Sequence, residues 1–518
     1  MTGFIKESVK DINSIKLLYN NRSFTTGQVF ADVASAATFL RRHGVTKGDS
    51  VIICLPNIVQ AVVAVYAINA VGAVANIAHP KIGTDGLIRI AEESGSKWIF
   101  IFDRFYYRHR KALKEKGIRA IICRISDCVG SVLRLPQPPL KGKSNYSYNS
   151  VLIKPEVSDV EIGGDDPAVY LHSSGTTGDS KTVILSNRAM NELAVNIHGC
   201  VKPADGSTML MTLPVFHGFG LGVCLHLMMM FGKIVLLPAF GAKKAIKAMS
   251  KREINYMAVV PNMLRKLIAQ KGFSGKKLVG LKQIFVGGDK LDEGLKKEAE
   301  KIIAASGSEC RICEGYGLSE TASVTHINVD CKDGGTVGKP IGGVTVKIVK
   351  DGKEAQIGED GEIYISSKSM MNGYLNGEAD FEIDENGIKW LKTGDVGHVD
   401  EEGYLYYRGR EKRLVKIGGV NIFPQEIENV ADENEEVVNS CAVRTLWNGK
   451  PAIRLLVELR EGVKLTPSLR QKICDGISSK IMPYAVPKYI DAAEKLKTTG
   501  MGKTDYRYYE ERETNPQK

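Results

Sequence analysis

Between two apolar runs, Val169-Tyr170-Leu171 and Val183-Ile184-Leu185, the chain reads His172-Ser173-Ser174-Gly175-Thr176-Thr177-Gly178-Asp179-Ser180-Lys181-Thr182. Six hydroxyls, two glycines and one lysine crowd into that stretch. Glycines let backbone N–H groups turn inward as an anion nest, hydroxyls add donors, and the lysine supplies a point charge. That chemistry suits a polyphosphate. The plain alternative is a Ser/Thr/Gly surface loop. The segment Gly175 to Thr182 also misses the Walker pattern G-x-x-x-x-G-K-[ST] only through Ser180. A Walker loop opens a helix, whereas Lys181 runs into the β-branched Thr182-Val183-Ile184, so strand, loop, strand is expected.

Other segments carry complementary chemistry. In Glu314-Gly315-Tyr316-Gly317-Leu318-Ser319-Glu320-Thr321 the glycines let the backbone approach a ligand and expose Tyr316, whose ring could cover a purine. Ser319 could donate to phosphate, and Glu320 offers hard oxygens suited to a magnesium ion. A glycine-rich turn before a helix cap is the plain reading. In Thr393-Gly394-Asp395, an aspartate held in a tight turn could accept from two neighbouring hydroxyls at once. Gly287-Gly288-Asp289 follows the apolar run Ile284-Phe285-Val286 and is a weak signal by itself.

Together these segments resemble the adenylate-forming superfamily, which includes acyl-CoA synthetases, peptide-synthetase adenylation domains and firefly luciferase. SSGTTGDSKT is similar to its phosphate signature SGTTGxPKG, departing at Ser180 and Thr182; GYGLSE is similar to GYGxTE, and TGD after Trp390 to WxxTGD. The resemblance implies that Ser173, Ser174, Gly175, Thr176, Thr177, Gly178 and Lys181 hold phosphates. It also implies that Gly288, Asp289, Glu314, Gly315, Tyr316, Gly317 and Ser319 border the nucleotide, that Asp395 and Arg410 reach its ribose, and that Glu320 serves magnesium. Lys412 falls at the family's hinge. Lys416 with Gly418 and Gly419 resembles the loop that serves the second half-reaction, with the paired glycines passing a pantetheine arm. Lys503, in Thr498-Thr499-Gly500-Met501-Gly502-Lys503, resembles the family's catalytic lysine, which bridges carboxylate and α-phosphate. Pro214-Val215-Phe216-His217-Gly218-Phe219-Gly220 resembles the acyl-CoA synthetase segment that sets a histidine beside the substrate carboxylate. Peptide-synthetase domains carry an acidic residue there, so His217 argues for an acid without an α-ammonium.

These segments need a scaffold of several units, and 518 residues suffice for two or three domains. Apolar content of 43% and charged content of 25% are globular averages, which excludes disordered and collagen-like classes. The net charge of +11 is dispersed, which suits anionic small ligands better than nucleic acid. Ten cysteines read as reduced, buried thiols of a cytoplasmic protein, although Cys310-Arg311-Ile312-Cys313 has metal or redox spacing. No signal peptide is legible at the N-terminus. The apolar stretch from Ala61 to Ala78 is interrupted by Asn69, Gly72 and Asn76, so a buried helix running into a strand is expected, not a membrane span.

From about residue 25, helical and strand-like segments alternate, giving layered α/β subdomains. From Gly334 to Tyr407 short alternating strands imply a small β-barrel. Fold class is therefore α/β, and a fresh α+β pattern begins near Gly409 to Arg413; the resemblance implies a large N-terminal domain (1–410) followed by a small, mobile α+β C-terminal domain (411–518). The activity implied is that of an AMP-forming acyl-CoA synthetase using ATP, Mg2+ and coenzyme A on a fatty or aryl carboxylic acid. A standalone enzyme that loads an acyl carrier protein is the alternative. Luciferase-type oxygenation has no supporting feature. A non-catalytic nucleotide-binding homologue is disfavoured by Glu320, Asp395, Lys416 and Lys503 together.

Overall fold

The computed structural model describes residues 1–128, 145–157, 160–172, 181–417, 420–498 and 504–514. Two large sheets lie at its centre. The first has eight strands, in the order Gly373–Tyr374, Thr182–Ser186, Pro167–His172, Val74–Ile77, Ser50–Cys54, Trp98–Phe102, Arg119–Cys123, Asn145–Ser147. Its interior pairings are parallel, and Pro167–His172 turns back antiparallel onto Thr182–Ser186, as the β-branched run after Lys181 predicts. The second has nine strands, with Arg311–Tyr316, Gln283–Val286, Tyr256–Val259, Thr208–Met211 and Lys233–Leu236 in parallel.

The helix Val59–Ala70 is apolar on every side and has all but its last residue buried, the signature of a core helix. It runs into the strand Val74–Ile77, so the long apolar stretch resolves as expected. Among the described residues no helix is long and apolar enough to cross a membrane. One core cluster draws on both sheets, joining Val51, Ile53 and Phe100 to Leu17, Met209 and Phe285.

The strand Ile15–Tyr19 is an element the sequence reading did not place. It pairs in parallel with Lys233–Leu236 and antiparallel with Arg22–Thr25. Its partner in the parallel pair is too distant in sequence for any local pattern to reveal.

Residues 344–410 form a six-stranded antiparallel sheet that stays open, half of a barrel, with Lys389–Val399 paired to three neighbours. Beyond Val415 the chain packs round a core of its own, built from Ile427, Leu455, Ile473, Ile477 and Ile490. Two helices, Pro424–Asp432 and Pro467–Lys480, cover a three-stranded sheet there.

Candidate active site

In open α/β sheets ligands gather beyond the carboxyl ends of the strands. Two adjoining cavities of about 470 and 570 Å3 open there and share Gly288, the 314–317 backbone, Arg410 and Lys412.

The antiparallel pair Pro167–His172 and Thr182–Ser186 forms the neck of the hydroxyl-rich loop, with His172 opposite Thr182. Asn76 Oδ1 lies 2.7 Å from His172 Nε2, and Thr182 Oγ1 lies 3.1 Å from Nδ1. The amide nitrogen of Asn76 donates to Ser94, so its oxygen faces the histidine. His172 therefore carries its proton on Nε2 and accepts from Thr182. Burial holds His172 neutral, with its pKa lowered to about 4. Ser173, Ser174, Gly175, Thr176, Thr177 and Gly178 lie outside the described residues. Lys181 lines the first cavity, with its ammonium 4.4 Å from the centre of the Tyr374 ring.

Tyr374 also donates to Glu320 Oε1 at 2.9 Å. It stands between the cation expected at the phosphates and the carboxylate expected at the metal, a placement no local signal marked. Among the described residues no three His, Cys, Asp or Glu side chains group as a metal site. A single carboxylate fits magnesium nonetheless, because that ion takes its other ligands from phosphate and water.

The strand Arg311–Tyr316 brings Glu314, Gly315 and Tyr316 to the wall. A Cβ on Gly317 would sit 1.8 Å from the Ser323 carbonyl oxygen, so the chain can return this closely only past glycine. Tyr316 is 8% exposed, not presented as the sequence suggested. Its hydroxyl donates to Asp395 Oδ2 at 2.6 Å, and Arg410 Nε lies 2.7 Å from Asp395 Oδ1. Burial and then the Asp395 carboxylate hold the Tyr316 phenol well above its usual pKa, so it stays a donor.

Thr393-Gly394-Asp395 lies not in a hairpin turn but in a bulge inside the strand Lys389–Val399. Gly394 takes φ +66°, and the Thr393 hydroxyl donates to Ile363 O while accepting from Asp395 N. The extra residues of the bulge re-aim the aspartate toward Tyr316. Tyr316 on Oδ2 and Arg410 on Oδ1 hold the aspartate in place at the wall of the second cavity.

Gly288 follows Gln283–Val286 with φ +82°, and Asp289 lines the second cavity. Glu314 is buried against Lys296 Nζ at 3.2 Å. Burial raises the Glu314 pKa, and the lysine opposes that shift. Lys296, on the helix Glu293–Ala305, is a partner that sequence reasoning missed; one lysine on an amphipathic helix carries no signal. Ser319 lines the first cavity.

His217 lines the same cavity next to Leu213, Phe219 and Val223. After it comes a π-helix, Phe219–His226, with Gly220 packed on the Pro214 carbonyl. His226 is a core residue, held between Tyr66 and Asn191. Lys412 is exposed and lines both cavities. Lys416 is exposed on the hairpin Val415–Ile417/Val420–Ile422 and lines neither. Gly418, Gly419 and Lys503 lie outside the described residues, whereas Thr504 and Asp505, next along the chain, line the second cavity.

A family model described as AMP-binding enzyme matches residues 6–375. The long-chain-fatty-acid–CoA ligase of Bacillus subtilis is 26% identical over 96% of this chain and 91% of its own. The indoleacetate–CoA ligase of Aromatoleum aromaticum is 30% identical over 67% of each. A crystal structure of ATP-bound MatB from Rhodopseudomonas palustris has the same fold, with a TM-score of 0.87 at 20% identity over 100% of this chain and 99% of that one.

Proposed function

The chain belongs to the AMP-binding enzyme family, and on that premise we propose that it is an ATP- and magnesium-dependent acid–thiol ligase making acyl-coenzyme A from an apolar monocarboxylic acid. One observation carries the reading. Lys181, His217, the 314–320 segment and Arg410 with Lys412 come from distant parts of the chain and wall a single cavity.

A carboxylate resists nucleophiles, so the acid must first become a mixed anhydride. Its oxygen attacks the α-phosphorus of ATP, and the bond to pyrophosphate breaks with the electron pair leaving on pyrophosphate. A thiolate sulfur then attacks the acyl carbon, and AMP departs. In this scheme Lys181 and residues 173–178 hold phosphates, Asp395 takes the ribose, and Glu320 contributes to magnesium, which supplies Lewis-acid charge on the phosphates. Gly288, Asp289, Tyr316 and Ser319 border the nucleotide, and His217 sits beside the acid. Lys503 acts in the first step; Lys412 pivots, so that Lys416 and the Gly418-Gly419 pair act in the second. The division at 410/411 belongs to the same proposal, as does a cytoplasmic setting, which the ten free cysteines support.

Ile197, Leu213, Phe219, Val223 and Phe285 make one part of the cavity wall apolar, and the segment from Leu221 to Phe231 after His217 carries no carboxylate to pair with a substrate ammonium. An unpaired buried ammonium costs several kcal/mol. If ~3 kcal/mol is felt in the transition state, amino acids fall behind equal-sized acids by roughly a hundredfold in kcat/KM. AMP release from hexanoate against norleucine, with and without coenzyme A, tests this. Comparable turnover of norleucine sinks the reading, and thiol-dependent turnover only with a carrier protein moves the acceptor from coenzyme A to that protein.

A further inference from the structure

The Cys310–Cys313 spacing does not bring those two thiols together. Side chains alternate along a strand, so Cys310 joins Met257 and Ile312 beneath one face of the nine-stranded sheet while Cys313 lies in the core on the other. Cys313 meets a different partner: its Sγ stands 3.8 Å from Cys331 Sγ. Cys313 is buried and lines the first cavity, and Cys331 is partly exposed. The loop carrying Cys331 is pinned, because the Asn328 amide donates to Lys332 O at 2.8 Å and accepts from Lys332 N at 3.0 Å. Cys331 itself is held at φ +56°, an unfavourable conformation for a residue with a side chain.

The two thiols are electrostatically unequal. Cys331 is drawn below the usual thiol range by the Cys313 S–H and, against its own burial, by Arg311 and Lys296. The same bond, with burial, pushes Cys313 up. The attacking sulfur is therefore the accessible one.

We propose that Cys313 and Cys331 form a modification site, which an oxidant of the peroxide class closes into a disulfide that distorts the cavity wall. The Cys331 thiolate attacks a peroxide oxygen; an S–O bond forms, the O–O bond breaks, and the departing oxygen takes the electron pair and a proton. Cys313 then gives up its proton, its sulfur attacks Cys331 Sγ, and the S–O bond breaks to release water. Two thiols lose two electrons in total and the peroxide gains them. Bond closure needs an S–S distance of about 2.05 Å. The Asn328 N–H donates to Glu314 O at 2.8 Å, so the loop is tied to the strand bearing Glu314 and Tyr316 and closing the bond pulls on both; a misplacement on the order of 1 Å at a reacting site can cost about a hundredfold in rate.

Cys313 and Cys331 fall in one tryptic peptide, Ile312 to Lys332, while Cys310 falls in another. After hydrogen peroxide, and without reduction, that peptide should be two hydrogens lighter and resist alkylation. Dithiothreitol should reverse both changes, and Cys310→Ser should leave them intact. A sulfinic acid on Cys331 beside an alkylated Cys313, or a link to the Cys310 peptide, would overturn the site. The activity arm rests on the ligase reading: oxidised enzyme should lose acid-dependent AMP release and regain it with dithiothreitol. Full activity of the closed form would overturn the distortion, whereas an inactive reduced enzyme would count against the ligase reading alone.

Discussion

Arg410 and Arg413 are neighbours in sequence and are anchored to different bodies. Arg410 Nε lies 2.7 Å from Asp395, in the antiparallel sheet. Arg413 donates to Glu428 at 2.8 Å and to the Ala442 carbonyl at 3.0 Å, and stacks 3.5 Å from the Tyr506 ring, all in the C-terminal part. Only Glu411 and Lys412 stand between the anchors, both exposed. On the proposed division at 410/411, a rotation of one part against the other would be taken up there. Lys412→Pro fixes φ near roughly −65°, so one half-reaction should survive and the other slow. Adenylation is read by pyrophosphate exchange and thioester formation from pre-made acyl-adenylate; equal retention of both would place the pivot elsewhere.

The two candidate lysines should divide the reaction. Lys503→Ala is expected to lower adenylate formation by on the order of 10²–10³, while pre-made acyl-adenylate is still consumed. Lys416→Ala, outside both cavities, should leave adenylation near normal and impair thioester formation. Parallel loss of both half-reactions in either variant would count against two alternating constellations.

Tyr316→Phe removes the donor to Asp395 Oδ2 and nothing else of the ring. An orphaned buried acceptor costs ~1–3 kcal/mol, and about 1.4 kcal/mol is tenfold in an equilibrium constant. KM for ATP should therefore rise by about tenfold, with KM for the acid unchanged. An unaltered ATP requirement would show that Tyr316 does not position the aspartate.

Burial keeps His226 and His326 neutral, each with its pKa lowered to about 3, and His172 at about 4. Their unfolded-state pKa is about 6.5, so below that pH the unfolded chain binds more protons than the folded one. Stability contributed by these groups is present above pH ~6.5 and falls as pH drops toward the folded values, by about 1.4 kcal/mol per unit per histidine. Urea denaturation at pH 7 and pH 5 reads this slope. His226→Gln should flatten it by one proton; an unchanged slope would mean that His226 is protonated in the fold.

Much of the site could be read in the sequence because the motifs are local. Residue type and spacing mark Glu314 to Glu320 or Thr393 to Asp395 without knowledge of what they touch. Their neighbours were hidden. Tyr374 and Lys296 are single residues on ordinary elements, and their importance comes from what packs opposite. The bulge that redirects Asp395 was hidden for the same reason, since it depends on register against Gly361–Ser367. Periodicity found the helix Val59–Ala70 and the central strands, but it carried no information on which strand pairs with which. Cys310 and Cys313 are free, buried thiols, as the sequence reading had them, because strand alternation, not sequence distance, decides which thiols meet.

The parallel pairing of Ile15–Tyr19 with Lys233–Leu236 bears on how the chain is made. Synthesis proceeds from the N-terminus at ~5–20 residues per second. The first strand is therefore translated roughly ten to forty seconds before its parallel partner leaves the ribosome. Until then Leu17 and Tyr19, both fully buried in the finished sheet, lack their parallel neighbour and are covered by the hairpin to Arg22–Thr25 and the helix Thr26–Arg42 alone among the elements next to them in sequence. An isolated two-stranded hairpin is marginal in water, so nascent chains halted before residue 233 should be captured by chaperones, and chains halted well beyond it released.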